Sequence, residues 1–125
     1  MFTHIMVGSN DVDKSKAFYD AVLGALGVPP GAAFNGRAFY SHNGGNFGVG
    51  NPADGNAATF ANGGTIGFAA PDTAAIDAFH AAGLAQGGTC DGAPGPRPNA
   101  PGKAYGAYLR DPDGNKICAF CQMKD

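Results

Sequence analysis

Apolar and polar residues alternate at two short stretches of the chain, and each stretch leads into apolar residues at helical spacing. In the first stretch, Ile5 and Val7 share one face of a predicted strand, while His4 and Met6 share the other. Ile66 and Phe68 repeat the apolar face in the second, and Thr65 points the opposite way with His4's counterpart side. Ala17, Phe18, Ala21, Val22 and Ala25 then form one face of a helix, and Ile76, Phe79, Ala82 and Gly83 a weaker copy of it. Asp11 and Asp72 precede these helices, where a carboxylate can accept from the exposed N–H groups of the first turn. Gly24, Gly27 and Gly83 supply stops, and Pro29-Pro30 prevents the first helix from continuing.

The two stretches are copies. A shift of 61 residues lays Ile5 on Ile66, Asp11 on Asp72 and Ala17-Phe18 on Ala78-Phe79. A second register, offset by 69, lays Ala38-Phe39-Tyr40 on Ala107-Tyr108-Leu109 and Gly45-Asn46 on Gly114-Asn115. Each of these regions reads as two strands joined by a turn. Asp111-Pro112-Asp113-Gly114-Asn115 is such a turn, because Pro presets φ and Gly accepts a left-handed backbone. Residues 105–110 and 116–122 then make a hairpin. The change of offset predicts a longer loop in the second half, assigned to residues 86–103. One domain, 1–125, is expected, with half one at about 1–52, a linker at about 53–63 and half two at about 64–125.

Composition narrows the chemistry. The 125 residues carry a formal net charge of −2 and no basic stripe, so nucleic acid is not an expected partner. No apolar run reaches the roughly 20 residues that span a bilayer, and Met1-Phe2-Thr3-His4 has no signal-peptide pattern. A cytoplasmic protein is expected. Three cysteines suit a reducing compartment, and Cys118 and Cys121 lie three apart on a predicted strand, on opposite faces, so they should not pair. All ten acidic residues are Asp, and tryptophan is absent.

With the strand carrying His4, the helix carrying Ala17-Phe18-Tyr19 and Leu23-Gly24, and the run Arg110-Asp111-Pro112-Asp113-Gly114-Asn115-Lys116-Ile117, the chain resembles the vicinal-oxygen-chelate superfamily of glyoxalases, bleomycin-resistance proteins and extradiol dioxygenases. The resemblance implies an α+β fold of two βαβββ repeats, a curved mixed sheet around a cavity, helices on the outer face, and a homodimer. It also implies four metal-ligand positions, which fall on His4, about Val49, Thr65 and Cys118. The family places His, Glu or Gln there, and only His4 keeps the pattern. No cofactor is therefore expected, and a divalent metal would find only His4 with Cys118 as second donor, a weak site.

The candidate catalytic residues are His4, as proton carrier, and Cys118, as a thiolate if His4 lies close enough to activate it. Arg37, Arg97 and Lys103 are candidates for holding an anionic substrate, with Arg110 beside them. Tyr105 and Phe47, together with Thr65, are candidates for lining a cavity, as are Tyr40, Tyr108 and Phe60. Two functions follow from this set. One is a lyase or isomerase related to lactoylglutathione lyase, acting on a small oxygenated or thiol-conjugated molecule. The other is a protein that binds a small antibiotic or metabolite without chemistry. A small-molecule ligand is the expected partner in both.

Overall fold

The computed structural model describes residues 1–124; Asp125, the last residue assigned above to the second half, lies outside them. The order of elements is β1 (Ile5–Gly8), α1 (Val12–Ala25), β2 (Ala32–Phe34), β3 (Arg37–His42), β4 (Gly45–Gly50), β5 (Ile66–Ala69), α2 (Thr73–Ala85), β6 (Thr89–Pro96), β7 (Ala104–Arg110) and β8 (Lys116–Gln122). They form two four-stranded mixed sheets, β1-β4-β3-β2 and β5-β8-β7-β6. In each, the first strand pairs in parallel with the last and the rest pair antiparallel, so the duplication holds down to strand order.

The helices begin as their sequences predict. Asp11 accepts from the Lys14 amide at 3.1 Å and Asp72 from the Ala75 amide at 2.8 Å. At their ends, Gly27 stops α1 as expected, whereas Gly24 lies inside that helix and Gly87 closes α2. Gly27 and Gly87 take positive φ, and the Val28 and Gly88 amides reach back to the Leu23 and Gly83 carbonyls, so both helices close in the same left-handed cap. Gly83 is not a stop. It lies inside α2 because a Cβ there would stand 2.4 Å from the Leu109 side chain, so the glycine lets β7 approach the helix. The buried stripe of α1 is also rotated from the expected one, running through Ser15, Phe18, Tyr19, Val22 and Leu23 and leaving Ala17 exposed.

One core joins the halves. Phe18, Val22 and Leu23 of α1 meet Ile76 and Phe79 of α2, and below them lie Val49, Leu109, Ile117 and Ala119 from both sheets. Helix-facing positions alternate with helix-free ones along every central strand, as Ile5 and Val7 against His4 and Met6 predict.

The two hairpins do not share one offset. Tyr40 matches Leu109, an offset of 69, but pairing puts Phe47 beside Ile5 and Ile117 beside Ile66, an offset of 70. The extra residue sits in the second turn. Asn43 and Gly44 make a two-residue loop with positive φ at both, whereas residues 112–114 make a three-residue loop ending on Gly114 at φ 89°. Residues 86–103 are also not a loop throughout, since Thr89–Pro96 among them form the edge strand β6, with register shifts at Gly92 and Gly95.

Candidate functional site

The helix-free face of the first sheet is floored by glycine. Met6 of β1 stands opposite Gly48, which in turn pairs with Phe39, and a Cβ on Gly48 would collide with the Met6 thioether and press on the Phe39 ring. Gly50 receives the aliphatic stem of Arg37 in the same way. Over this floor runs the segment 51–59. It is fixed by Asn10, whose side chain donates to the Ala58 carbonyl at 3.2 Å and accepts from the Ala58 amide at 2.7 Å. Asn51 adds a bond to the Ser9 carbonyl at 3.0 Å. Between floor and segment is a cavity of about 620 Å³, walled by His4, Met6, Arg37, Phe39, Gly50 and Asp54 among others.

Two charged or titratable groups in this cavity have unused capacity. The His4 Nδ1 lies 2.8 Å from the Thr3 hydroxyl, which leaves Nε2 without a protein partner among the described residues. The Arg37 guanidinium likewise makes no hydrogen bond or ion pair among them. Asp54 uses one carboxylate oxygen to accept from the Asn56 amide at 2.9 Å.

The remaining sequence candidates are dispersed. Cys118 faces the helix-free side of the second sheet, beside Gly67, and shares no cavity with His4. Burial pushes its thiol up to about 11, with Lys116 pulling the other way, so it is protonated at neutral pH and unsuited to attack as a thiolate. Cys121 packs on the opposite, core side and all three cysteines are free, as the strand alternation predicts. Thr65 is exposed just ahead of β5. Arg97 spends its guanidinium on the carbonyls of Ala93, Gly95 and Pro96 and lies 5.7 Å from the Tyr108 ring centroid, holding the irregular β6 to β7. Lys103 precedes β7, where its amide donates to Gln122. Tyr105 points to the helix side and donates to Asp77 at 2.6 Å. Phe47 is a core residue, its ring 4.9 Å from Tyr19 and 5.2 Å from Phe68. The cavity therefore unites His4 and Arg37 alone among the named candidates.

The implied metal does not fit these residues. The corrected register puts Gly48, not Val49, on the helix-free face opposite Met6, and Val49 is wholly buried against the helices. The four family positions thus hold His4, Gly48, Thr65 and Cys118: one imidazole, no side chain, a hydroxyl and a protonated thiol. Among the described residues, no three His, Cys, Asp or Glu side chains converge into a metal-holding group.

Sequence reasoning missed Phe39, the segment 51–59 and its anchor Asn10. The alternating Gly48 and Gly50 were an available signal, because glycine repeated on one strand face marks close approach of other groups. The second sheet's helix-free face is filled by larger side chains. There Tyr108 lies between Arg97 and Lys116, Phe120 covers Gly106, and Asp91 joins Arg110 at 3.0 Å and Lys116 at 3.6 Å.

The paired βαβββ units define a glyoxalase-type fold. Residues 1–119 match the glyoxalase/bleomycin resistance protein/dioxygenase superfamily, and the chain belongs to that family. A solved glyoxalase/bleomycin resistance protein from Albidiferax ferrireducens T118 is 56% identical over 96% of this chain and 97% of its own, with a TM-score of 0.90. A glyoxalase-related enzyme from Fulvimarina pelagi shares the fold at 18% identity, covering 96% of this chain and 86% of its own, TM-score 0.75. A lactoylglutathione lyase from Agrobacterium tumefaciens shares it at 22% identity, covering 96% and 92%, TM-score 0.66. No curated protein matches the chain. No helix among the described residues is long and apolar enough to cross a membrane.

Proposed function

We propose that this protein binds a small anionic molecule, without a metal, in the cavity between β1, β3, β4 and the segment 51–59. The observation that carries the reading is the Arg37 guanidinium, uncommitted to any described residue and facing a cavity that also holds the His4 imidazole. A guanidinium offers a carboxylate or phosphate two parallel donors, and Nε2 of His4 adds a third contact. Phe39 and Met6 give the ligand's carbon skeleton an apolar wall. Asp54 on the same wall disfavours a second negative charge, which selects a monoanion over a polyphosphate. A homodimer in a reducing cytoplasm completes the proposal, on the grounds of family resemblance and three free cysteines.

Glycolate, lactate and inorganic phosphate, titrated calorimetrically into metal-stripped protein, test it. Arg37→Gln should weaken binding of a bound carboxylate about tenfold or more, since a charge-assisted hydrogen bond contributes about 1.5–3 kcal/mol. Binding that requires added zinc, nickel or manganese, or that survives Arg37→Gln unchanged, would overturn the assignment.

A second reading is metal-free proton transfer on the same ligand, in a lyase or isomerase. It is favoured by the position of His4 Nε2, which can take or give a proton beside an anion steadied by Arg37. Solvent-deuterium exchange into the bound ligand, retained in wild type and lost in His4→Gln while affinity persists, separates this reading from binding alone.

A further inference from the structure

A second cavity, of about 300 Å³, opens on the helix side at the other end of the seam between the halves. Its walls are Ile5, Leu23, Leu26, Phe47, Ile66 and Phe68, and its rim is the turn after β3 with His42 and Asn43. The Tyr40 hydroxyl in the wall is committed to Asp20 at 2.8 Å and to the Lys16 carbonyl. On the rim, Asn46 is occupied by Ser41 and the Thr3 carbonyl, whereas the His42 and Asn43 side chains have no partner among the described residues.

The duplication shows why this space is open. The matching place in the other half lies at the end of β1, and it is closed by the three-residue turn: Asn115 donates to the Gly8 carbonyl at 3.0 Å and Asp113 accepts from the Asn10 amide at 2.9 Å. Tyr19 reaches the same turn through Asp111 at 2.6 Å. The first turn is one residue shorter and carries no side chain that enters the space, because its inward positions are His42 at the rim and Gly45. A Cβ on Gly45 would meet nothing nearer than the His42 carbonyl oxygen, at 3.6 Å.

We propose that this cavity is a second binding site, for a molecule with one compact apolar body, a single ring or a branched alkyl group, and one hydrogen-bond-accepting end such as a carboxylate. The volume is at the bottom of the range of about 300–1,000 Å³ for small-molecule pockets and about twice the roughly 150 Å³ that holds benzene, so it accommodates one ring with a short substituent. Walls without free polar groups hold water poorly and favour an apolar body. His42 and Asn43 at the mouth place N–H donors where the polar end emerges, so ligand orientation is fixed with the ring inward. The site stands apart from the Arg37 cavity, which opens on the other face of β1.

Phenylacetate is the probe, with toluene as its body alone, titrated into the full chain and followed by amide chemical shifts. Saturable shifts are expected at Asn43, Gly45, Asn46, Phe68 and Ala69. Gly45→Leu, whose side chain enters the cavity, should abolish them, while Arg37→Gln leaves them intact. His42→Ala should weaken phenylacetate about fivefold and leave toluene unchanged, as loss of one hydrogen bond of about 1 kcal/mol requires. The absence of saturable shifts at those residues, their persistence in Gly45→Leu, or equal losses for both probes in His42→Ala would overturn the proposal. Loss in Arg37→Gln alone would assign the binding to the other cavity and overturn it as well.

Discussion

At one end of the seam between the halves, the turn of residues 112–114 is packed down by a carboxylate that is almost wholly buried. Asp111 accepts from the Tyr19 hydroxyl, the Asp113 and Asn115 amides and the Asn115 side chain, all between 2.6 and 3.0 Å. At the other end, the two-residue turn at Asn43 and Gly44 has no buried anchor, and an apolar hollow lies behind it. The strands on either side match closely in order and pairing. A difference of one residue in loop length therefore separates a cross-half clamp from an open pocket. Beyond the turns the strands keep equivalent registers, so Gly48 stands in the first sheet where Cys118 stands in the second, and the glycine floor follows from which residues occupy those positions.

Breaking the clamp should have the largest effect. Asp111→Ala leaves the Tyr19 hydroxyl and the Asn115 groups without an acceptor in a region that water does not reach. The expected loss is about 3–5 kcal/mol in urea unfolding, in line with removal of one member of a buried charged network. Tyr19→Phe removes only one of the four bonds and should lose about 1–2 kcal/mol. A loss below about 1 kcal/mol for Asp111→Ala would mean that the halves are held by the helix core alone. The opposite substitution sharpens the contrast from the open end. Gly45→Leu places apolar atoms in the hollow and should raise stability by about 0.5–1 kcal/mol, as filling a solvent-open apolar cavity does. A fall in stability would show that the Gly45 backbone, not the space behind it, decides the turn.

Much of this contrast was legible in the sequence, but only its local part. The N-caps at Asp11 and Asp72, the turn at residues 111–115 and the strand faces of Ile5 and Ile66 depend on neighbours a few residues away. What the turn does depends on Gly8, Asn10 and Tyr19, about a hundred residues distant, and no spacing rule reaches that far. β6 was hidden for a different reason. Its Gly92, Pro94, Gly95 and Pro96 carry the composition of a loop, and an edge strand tolerates them because one side of its backbone needs no partner. At the candidate site, His4 was named for its strand face and Arg37 only for its side-chain chemistry. Tyr105 and Arg97 were not separable from them, because both are the right residue types and only the packing shows that Asp77 and the β6 carbonyls have already claimed them.

The smallest expected effect is a difference in pH dependence at the unclamped end. There a second aspartate receives a tyrosine: Asp20 accepts from the Tyr40 hydroxyl and the Gly31 amide through one oxygen, and from Lys16 through the other at 2.8 Å. Burial alone would raise the Asp20 carboxyl, yet the bonds from Lys16, Gly31 and Tyr40 together hold it below the ordinary value. The unfolded chain therefore takes up this proton before the folded one does as pH falls. The contribution of Asp20 to stability is complete above the unfolded value of about 3.9 and is lost as pH drops through the lower folded value. Stability measured by urea unfolding between about pH 5 and pH 2 should fall with a slope that Asp20→Asn reduces. An unchanged slope in the variant would mean that Lys16, Gly31 and Tyr40 are held as well by the neutral amide as by the carboxylate. The short turn would then rest on packing around Tyr40 and Phe47, with charge playing no part in it.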